Sequence, residues 1–161
     1  MQKITLICVG NLKDKEYISM CEEYKKRISR FASINIIEIK EKNNLGNINQ
    51  IKGSESTDIL SKIDPQKTVL FDVCAKEQTS EEFSIFLEKW FSKYSEITFV
   101  IGGSYGYSDK IKEIVKEKIS FSKMTFPHRL FRVMALEQIY RALTIQNNVS
   151  YHKWLKIFVS R

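Results

Sequence analysis

The sequence predicts an α/β fold with a mainly parallel sheet of five to six strands and helices on both faces. Two observations support this prediction: short apolar runs alternate with longer segments of helical periodicity, and no internal repeat or domain linker is present. With 161 residues, the chain is long enough to bury a sizeable core. We therefore expect one domain over residues 1–161, with residues 151–161 as a C-terminal tail.

Strands and helices are predicted in alternation along the chain. The predicted strands are residues 3–9, 34–39, 68–74 and 97–101, with a short last one at 119–122. The predicted helices are residues 14–31, 54–63, 80–94, 109–118 and 128–146. Residues 40–53 are polar and rich in asparagine, which predicts a loop.

Local signals mark the ends of several helices. Asp14 and Ser108 are candidate N-caps, and Thr79 with Glu82 forms a capping box. The helix after Thr79 carries a stripe of large apolar side chains, which indicates core packing rather than a surface on which bases stack. Pro65 ends the second helix, because the residue before a proline disfavours the helical region.

Composition and motifs argue against several classes of protein. No stretch approaches the ~20 apolar residues of a membrane-spanning helix. The apolar N-terminus is too short and too β-branched for a signal peptide, so we expect a cytoplasmic location. The patterns of P-loop, dinucleotide-binding and α/β-hydrolase proteins are missing. Three widely spaced cysteines and two histidines favour neither a disulfide framework nor a metal site.

Positive charge is concentrated near the C-terminus. The formal net charge of the chain is +7. Residues 123–161 contribute +6 through seven Lys or Arg and one Glu, whereas residues 1–122 contribute only +1. This distribution favours a polyanionic partner, RNA above all, over an ordinary solvated surface.

Two loops indicate a small-molecule pocket. In the first, FVIGGSYG at residues 99–106, an apolar strand runs into a glycine-rich turn that lets a ligand approach the backbone closely. The second, FSKMTFPH at residues 121–128, is an irregular segment of apolar and hydroxyl side chains closed by a proline. Their positions after strands predict a pocket at the carboxyl edge of the sheet.

Several segments, in order along nearly the whole chain, resemble those of one family. They include FVIGGS at residues 99–104, ISFSKMTFPH at 119–128, EQIYRA at 137–142 and YHK at 151–153. These segments are similar to those of the RlmH family, the pseudouridine methyltransferases of the large ribosomal subunit. The resemblance implies the SPOUT class of fold, a small homodimeric α/β protein with a C-terminal trefoil knot.

The resemblance further implies a binding site for S-adenosylmethionine and no metal. By position it assigns this cofactor to three loops, through Phe71, Gly102, Phe121, Ser122, Lys123, Met124, Thr125 and Phe126. The residue types agree with that assignment, because adenine needs apolar walls and backbone hydrogen bonds.

The implied reaction is methylation of N3 of a pseudouridine in the helix 69 loop of 23S ribosomal RNA, within assembled ribosomes. N3 must lose its proton to become a good nucleophile, and histidine suits that step near neutral pH. His152, between Tyr151 and Lys153, is the leading catalytic candidate. The resemblance assigns this tail to the other subunit's site. The alternative is that His152 is an exposed tail residue, and His128 is expected to be structural.

Other positions leave alternatives open. Arg129, Arg132 and Arg141 either bind RNA phosphates or pair with Glu137 and with carboxylates at a dimer interface. Ala75 stands where the family usually has glycine, and it strains the loop if that position needs a positive φ.

The chain also continues past the family's usual end, through residues 154–161, which pack on the dimer, contact RNA or obstruct the site. Two alternative functions remain open, the second of them supported by Ala75 and the extension. One is methylation of transfer RNA by a SPOUT methyltransferase, and the other is ribosome binding by a catalytically impaired relative.

Overall fold

The computed structural model describes residues 1–153, which form a five-stranded sheet with helices on both faces. The strands are β1 (Lys3–Val9), β2 (Ser33–Ile39), β3 (Thr68–Phe71), β4 (Glu96–Ile101) and β5 (Glu117–Ile119). The helices are α1 (Lys15–Ile28), α2 (Ile48–Leu60), α3 (Ser80–Lys93), α4 (Asp109–Ile114) and α5 (His128–Gln146). A 3₁₀ turn at Pro65–Lys67 precedes β3.

The strand order is β2-β1-β4-β3-β5, and every neighbouring pair is parallel. β1 pairs with β2 along its whole length and with β4 from Lys3 to Cys8. Parallel strands place their carboxyl ends at one edge, so the loops that follow β3, β4 and β5 meet there. The expected α/β fold is confirmed, and the trefoil knot stays an implication of the resemblance.

Alternating side chains of the strands build two cores. On one face, Leu6 and Phe99 are fully buried and pack with α1, α3 and α5. On the other face, Leu70 and Val100 are fully buried and pack with α2 and α4. On the first face α5 lies against both α1 and α3, so its N-terminal end is fixed beside the carboxyl edge of the sheet.

α2 begins earlier than the sequence predicts. It starts at Ile48, so the predicted loop is wrong over residues 48–53. The Asn47 side chain caps the helix by accepting a hydrogen bond from the backbone at the third helical position, at 2.9 Å. Burial of Ile51 offsets the cost of Gly53, which is about 1 kcal/mol relative to alanine in a helix.

The bounds of β3, α4 and β5 also differ from the prediction. β3 ends at Phe71 because the Asp72 side chain accepts a hydrogen bond from the Cys74 N–H at 3.0 Å and turns the chain. α4 ends at Ile114, because Val115 adopts extended backbone and leads into β5, which spans Glu117–Ile119 rather than residues 119–122 and pairs with β3. The carboxyl edge therefore begins sooner after β3 and β5 than the apolar runs suggest.

Ala75 does not strain its loop. Among residues 1–153, Asn148 is the only non-glycine residue with a positive φ, so Ala75 carries an ordinary backbone conformation. The part of the chain that the structure describes contains no cluster of three His, Cys, Asp or Glu side chains arranged as metal ligands. None of its helices is long and apolar enough to cross a bilayer. The contacts predicted for residues 154–161 lie outside the described residues.

Candidate functional site

A cleft of about 700 Å³ opens at the carboxyl edge of the sheet, a volume typical of small-molecule sites. The loops after β3, β4 and β5 line it, together with the start of α5. Both loops that the sequence singles out contribute to its walls. The predicted cofactor residues that line the cleft are Phe71, Gly102, Phe121, Ser122, Met124, Thr125 and Phe126. Lys123 is exposed and does not line it.

The glycine turn after β4 is shaped by close packing. A Cβ added to Gly102 would lie 3.0 Å from Cε1 of Tyr107, and one added to Gly103 would lie 2.5 Å from Oε2 of Glu55. Gly106 differs, because it has a φ of +75° and donates its N–H to the Gly103 carbonyl at 3.0 Å. Gly102 and Gly103 are therefore required because a side chain would not fit, and Gly106 is required by its backbone conformation.

Tyr107 fastens this turn to the sheet. Its hydroxyl donates a hydrogen bond to the Val100 carbonyl at 2.7 Å, and the Phe71 carbonyl lies 3.1 Å away, so the phenol bridges the ends of β4 and β3. Burial raises the pKa of Tyr107, which keeps the hydroxyl protonated and able to donate. The sequence predictions missed Tyr107, although a tyrosine directly after a glycine turn is a recognisable signal.

Aromatic side chains form the apolar wall of the cleft. Phe71 stacks on Phe99 with ring centroids 5.3 Å apart and meets Phe121 edge-on at 5.0 Å. Phe131, a residue of α5 that the sequence predictions missed, lies edge-on to Phe71 at 5.3 Å and roughly parallel to Phe126 at 6.4 Å. Such a wall suits the flat face of an aromatic ring in a ligand.

Hydroxyl groups order the loop after β5. The Ser120 hydroxyl donates to the Ser122 carbonyl at 2.8 Å and accepts from the Ser122 N–H at 3.3 Å. The Ser122 hydroxyl in turn accepts from the Met124 N–H at 3.0 Å, while the Met124 side chain is largely exposed. These bonds shape an irregular segment that no ladder of a sheet stabilises.

A charged pair stands in the wall of the cleft. Oδ2 of Asp72 and Nζ of Lys112 are 2.9 Å apart, and the Asp72 side chain is only 8% exposed. Burial alone would raise the pKa of Asp72, but hydrogen bonds from Lys112 and the Cys74 N–H, with the charge of Lys118, hold it below its usual range. Asp72 therefore stays ionised at neutral pH and serves the loop rather than proton transfer.

The predicted catalytic residues Tyr151, His152 and Lys153 do not line the cleft of their own chain. Tyr151 packs edge-on against Tyr140 at 4.8 Å and donates its hydroxyl to Glu137 at 3.1 Å. Burial raises the pKa of Tyr151, and the charge of Glu137 adds to that effect, so a phenolate is not available near neutral pH. Lys153 is exposed.

Both ring nitrogens of His152 have partners. Nε2 lies 2.7 Å from Oε1 of Glu81, and Nδ1 lies 3.1 Å from Nη1 of Arg141. Because arginine only donates, Nδ1 accepts and Nε2 carries the proton that is donated to Glu81. This hydrogen bond lowers the pKa of Glu81. Arg141 lies about 20 Å along α5 from His128 at the cleft, at 1.5 Å per residue, so the tail is held away from its own cleft.

The arginines of α5 all pair with carboxylates. The pairs are Arg129–Asp14, Arg132–Glu38 and Arg141–Glu137. Arg132 also donates to the Gly10 carbonyl at 2.7 Å, and its side chain is 3% exposed. An RNA phosphate cannot reach Arg132 in this conformation, whereas phosphate contacts stay a prediction for the exposed Arg129 and for Arg141. The pairing with Glu137 that the sequence left as an alternative occurs within the chain.

Known proteins similar to this chain share one description. A family model described as "Predicted SPOUT methyltransferase" matches residues 2–152. The chain is 50% identical over 151 residues to the "Ribosomal RNA large subunit methyltransferase H" of Mycoplasmopsis synoviae. It is 46% identical over 153 residues to the protein of that name from Caldicellulosiruptor saccharolyticus. Each alignment covers 93% of this chain and 99% of the relative.

Proposed function

The chain belongs to the SPOUT methyltransferase family, and we propose that it methylates N3 of a pseudouridine in the helix 69 loop of 23S ribosomal RNA. We propose S-adenosylmethionine as its methyl donor. The names of its relatives support the substrate class, a large-subunit ribosomal RNA. The observation that carries the proposal is the cleft at the carboxyl edge of the sheet, with its packed glycine turn and aromatic wall.

The residues of the cleft fit such a donor. Phe71, Phe121 and Phe126 offer an apolar surface for adenine, and the positions of Gly102 and Gly103 bring bare backbone to the cleft. When bound, S-adenosylmethionine supplies a methyl group already activated by the positive charge on sulfur. The chain then has to hold and orient the reactants, which removes much of the barrier.

We propose that His152 is the base that accepts the proton leaving N3. Its partners Glu81 and Arg141 place it far from the cleft of its own chain, which supports action at the cleft of a second copy in a homodimer. To accept the proton, Nδ1 has to exchange Arg141 for the target base, since Nε2 already carries a proton and donates it to Glu81. The His152 side chain is 8% exposed and that of Glu81 is 37% exposed, so this movement has to break contacts that are partly buried.

The basic last quarter of the chain supports docking on ribosomal RNA. Arg129 is the best placed of the α5 arginines, because its pair with Asp14 is exposed and its side chain lies at the cleft end of the helix. A ribosomal substrate would place the reaction in the cytoplasm.

The test is transfer of labelled methyl from S-adenosylmethionine to ribosomes from cells that lack this protein. Stripped ribosomal RNA and transfer RNA serve as the comparison substrates. We expect label only in the intact ribosome, at the pseudouridine N3 that mass spectrometry would map. Label in transfer RNA alone would keep the fold and change the substrate. Ribosome binding without any methylation would support the catalytically impaired alternative.

Mixed dimers test whether the tail acts on the partner. One subunit carries Gly102→Val, which blocks its cleft, and the other carries His152→Ala, which removes the tail histidine. If tails act between subunits, one site in each mixed dimer combines an intact cleft with an intact tail. At a donor concentration that does not saturate Gly102→Val, we expect mixed dimers to regain up to about half the wild-type activity, although each parent dimer keeps only a small fraction of it. Mixed dimers as inactive as both parents would show that each tail serves its own subunit.

A further inference from the structure

Glu55 is a charged side chain in the interior beside the cleft. The residue is 3% exposed, and its Oε1 accepts a hydrogen bond from the Lys42 N–H at 3.1 Å. Within residues 1–153, Oε2 has no hydrogen-bond partner. Burying a carboxyl group with one oxygen unpaired is unfavourable, so a purely structural position would be better filled by an apolar residue.

The unpaired oxygen lies directly against the glycine turn. A Cβ added to Gly103 would be 2.5 Å from Oε2 of Glu55, closer than any real contact of that kind. The next residue of α2, Ser56, is also buried, and its hydroxyl accepts from the Ser108 N–H at 3.0 Å. α2 therefore contacts the chain at residue 103 and hydrogen-bonds it at residue 108, and residues 103–107 between them line the cleft.

The other oxygen of Glu55 reaches a different wall. It holds the backbone of Lys42, and the neighbouring Glu41 lies 3.3 Å from Nε2 of His128, which lines the cleft. One carboxyl group thus connects the glycine turn with the segment that supports the start of α5. Burial raises the pKa of Glu55, in agreement with a side chain enclosed by these elements.

We propose that Glu55 is a positioning residue of the methyl-donor site, whose carboxyl group fixes the glycine turn against α2 in the shape that receives the donor. This inference rests on the proposed use of S-adenosylmethionine. Glu55 itself does not touch the ligand, since it does not line the cleft. Its role requires the shape and the hydrogen-bond acceptor of the side chain rather than its charge.

Binding of S-adenosylmethionine by calorimetry tests the proposal. Glu55→Ala is expected to weaken binding by roughly 10- to 100-fold, because a small misplacement of positioning backbone has effects of that size. Glu55→Gln keeps the volume and the acceptor for Lys42, and is expected to stay within about threefold of the wild type. Asp58→Asn is the matched control, since it removes an exposed carboxylate that pairs with Lys42 from the same helix without touching the turn.

Kinetics separate positioning from general loss of structure. We expect Glu55→Ala to raise KM for S-adenosylmethionine and to leave KM for ribosomes unchanged. An equal rise in both KM values, or binding by Glu55→Ala that matches the wild type, would overturn the proposal while the proposed function stands. A wild-type chain that binds no S-adenosylmethionine would overturn both.

Gly103→Ala alone gives a test that does not need a stable Glu55→Ala, and a double-mutant cycle of the two changes adds a further one. The added methyl group collides with Oε2 of Glu55, so Gly103→Ala alone is expected to weaken binding. Once Glu55 is alanine, the main collision is gone and Val9 Cγ1, at 3.1 Å, is the remaining close neighbour, so the additional effect should fall to about twofold. Losses that simply multiply would show that Glu55 and the turn are not coupled.

Discussion

The cleft and the tail are held in opposite ways. The cleft is built on strand ends that are almost fully buried, and a buried phenol, Tyr107, ties two of those ends together. The tail is held at the side of α3 and α5 by the packing of Tyr151 on Tyr140 and by the polar contacts of His152 with Glu81 and Arg141. Buried apolar packing is costly to change, whereas polar contacts with partly exposed partners cost less to exchange.

This difference shows which part of the site is complete in one chain. The cleft has its shape without a second subunit, because its walls belong to the core of the sheet. The tail does not reach that cleft, and its partners are of the kind that a new contact replaces. Changes in the cleft should therefore affect donor binding, and changes in the tail should affect methyl transfer alone.

The largest expected effect is the loss of methyl transfer in His152→Ala. Removal of a proton acceptor lowers rates by typically 10²- to 10⁴-fold, so we expect a decrease of that size in single-turnover methylation of ribosomes. The affinity for S-adenosylmethionine should stay within about twofold, since His152 does not line the cleft. Lys89→Ala, which changes an exposed residue of α3, is the control. A fall in donor affinity equal to the fall in rate would contradict the separation of cleft and tail.

Gly102→Val should produce the opposite pattern. Its side chain would collide with the ring of Tyr107, which lies 3.0 Å from the position of a Cβ. Overpacking typically costs 1–3 kcal/mol, so donor affinity should fall by about 10- to 100-fold. Calorimetric titration with S-adenosylmethionine measures this, and circular dichroism checks that the fold persists. Normal binding would show that the donor does not use the cleft.

The sequence predicts the cleft better than the tail, for a physical reason. Loops that carry a ligand leave local traces, such as the glycines of residues 102–106 and the irregular run at 121–126, because backbone geometry restricts residue type. The all-parallel sheet follows from apolar runs of strand length. The start of α2 is harder to predict, because asparagine is typical both of loops and of N-caps, and Gly53 disfavours a helix.

Interactions between distant elements leave no such trace. The sequence offers Arg132 as an RNA contact, but its burial depends on Glu38, which is 94 residues away. Likewise, nothing near Glu55 in the sequence indicates that its carboxyl group meets Gly103. The net charge of a segment includes arginines such as Arg132 that are buried and paired. It therefore overstates the positive charge that RNA can contact.

The two arginines at the cleft end of α5 give a smaller and more direct comparison. Arg132→Met leaves Glu38 with a buried face and no cation, which should lower the free energy of unfolding by about 2–3 kcal/mol. Arg129→Ala breaks an exposed pair and should lower it by less than about 1 kcal/mol, while ribosome binding weakens. Urea denaturation measures the first effect and ribosome co-sedimentation the second. Equal stability of both variants would mean that burial does not distinguish these pairs.

The smallest expected effect is the contribution of Asp72 to the pH dependence of the free energy of unfolding. Its pKa in the folded chain lies below the unfolded value of about 3.9, so the carboxylate stabilises the fold above that pH and loses this contribution as pH falls further. Asp72→Asn should lower the free energy of unfolding by about 1–2 kcal/mol at pH 7, and the difference should shrink below about pH 4. Thermal unfolding from pH 7 to pH 3 measures this. Glu22→Gln, which removes an exposed partner of Lys25, is the control, and its stability relative to the wild type should not change in this way with pH. A stability difference for Asp72→Asn that widens in acid would refute the ionised pair.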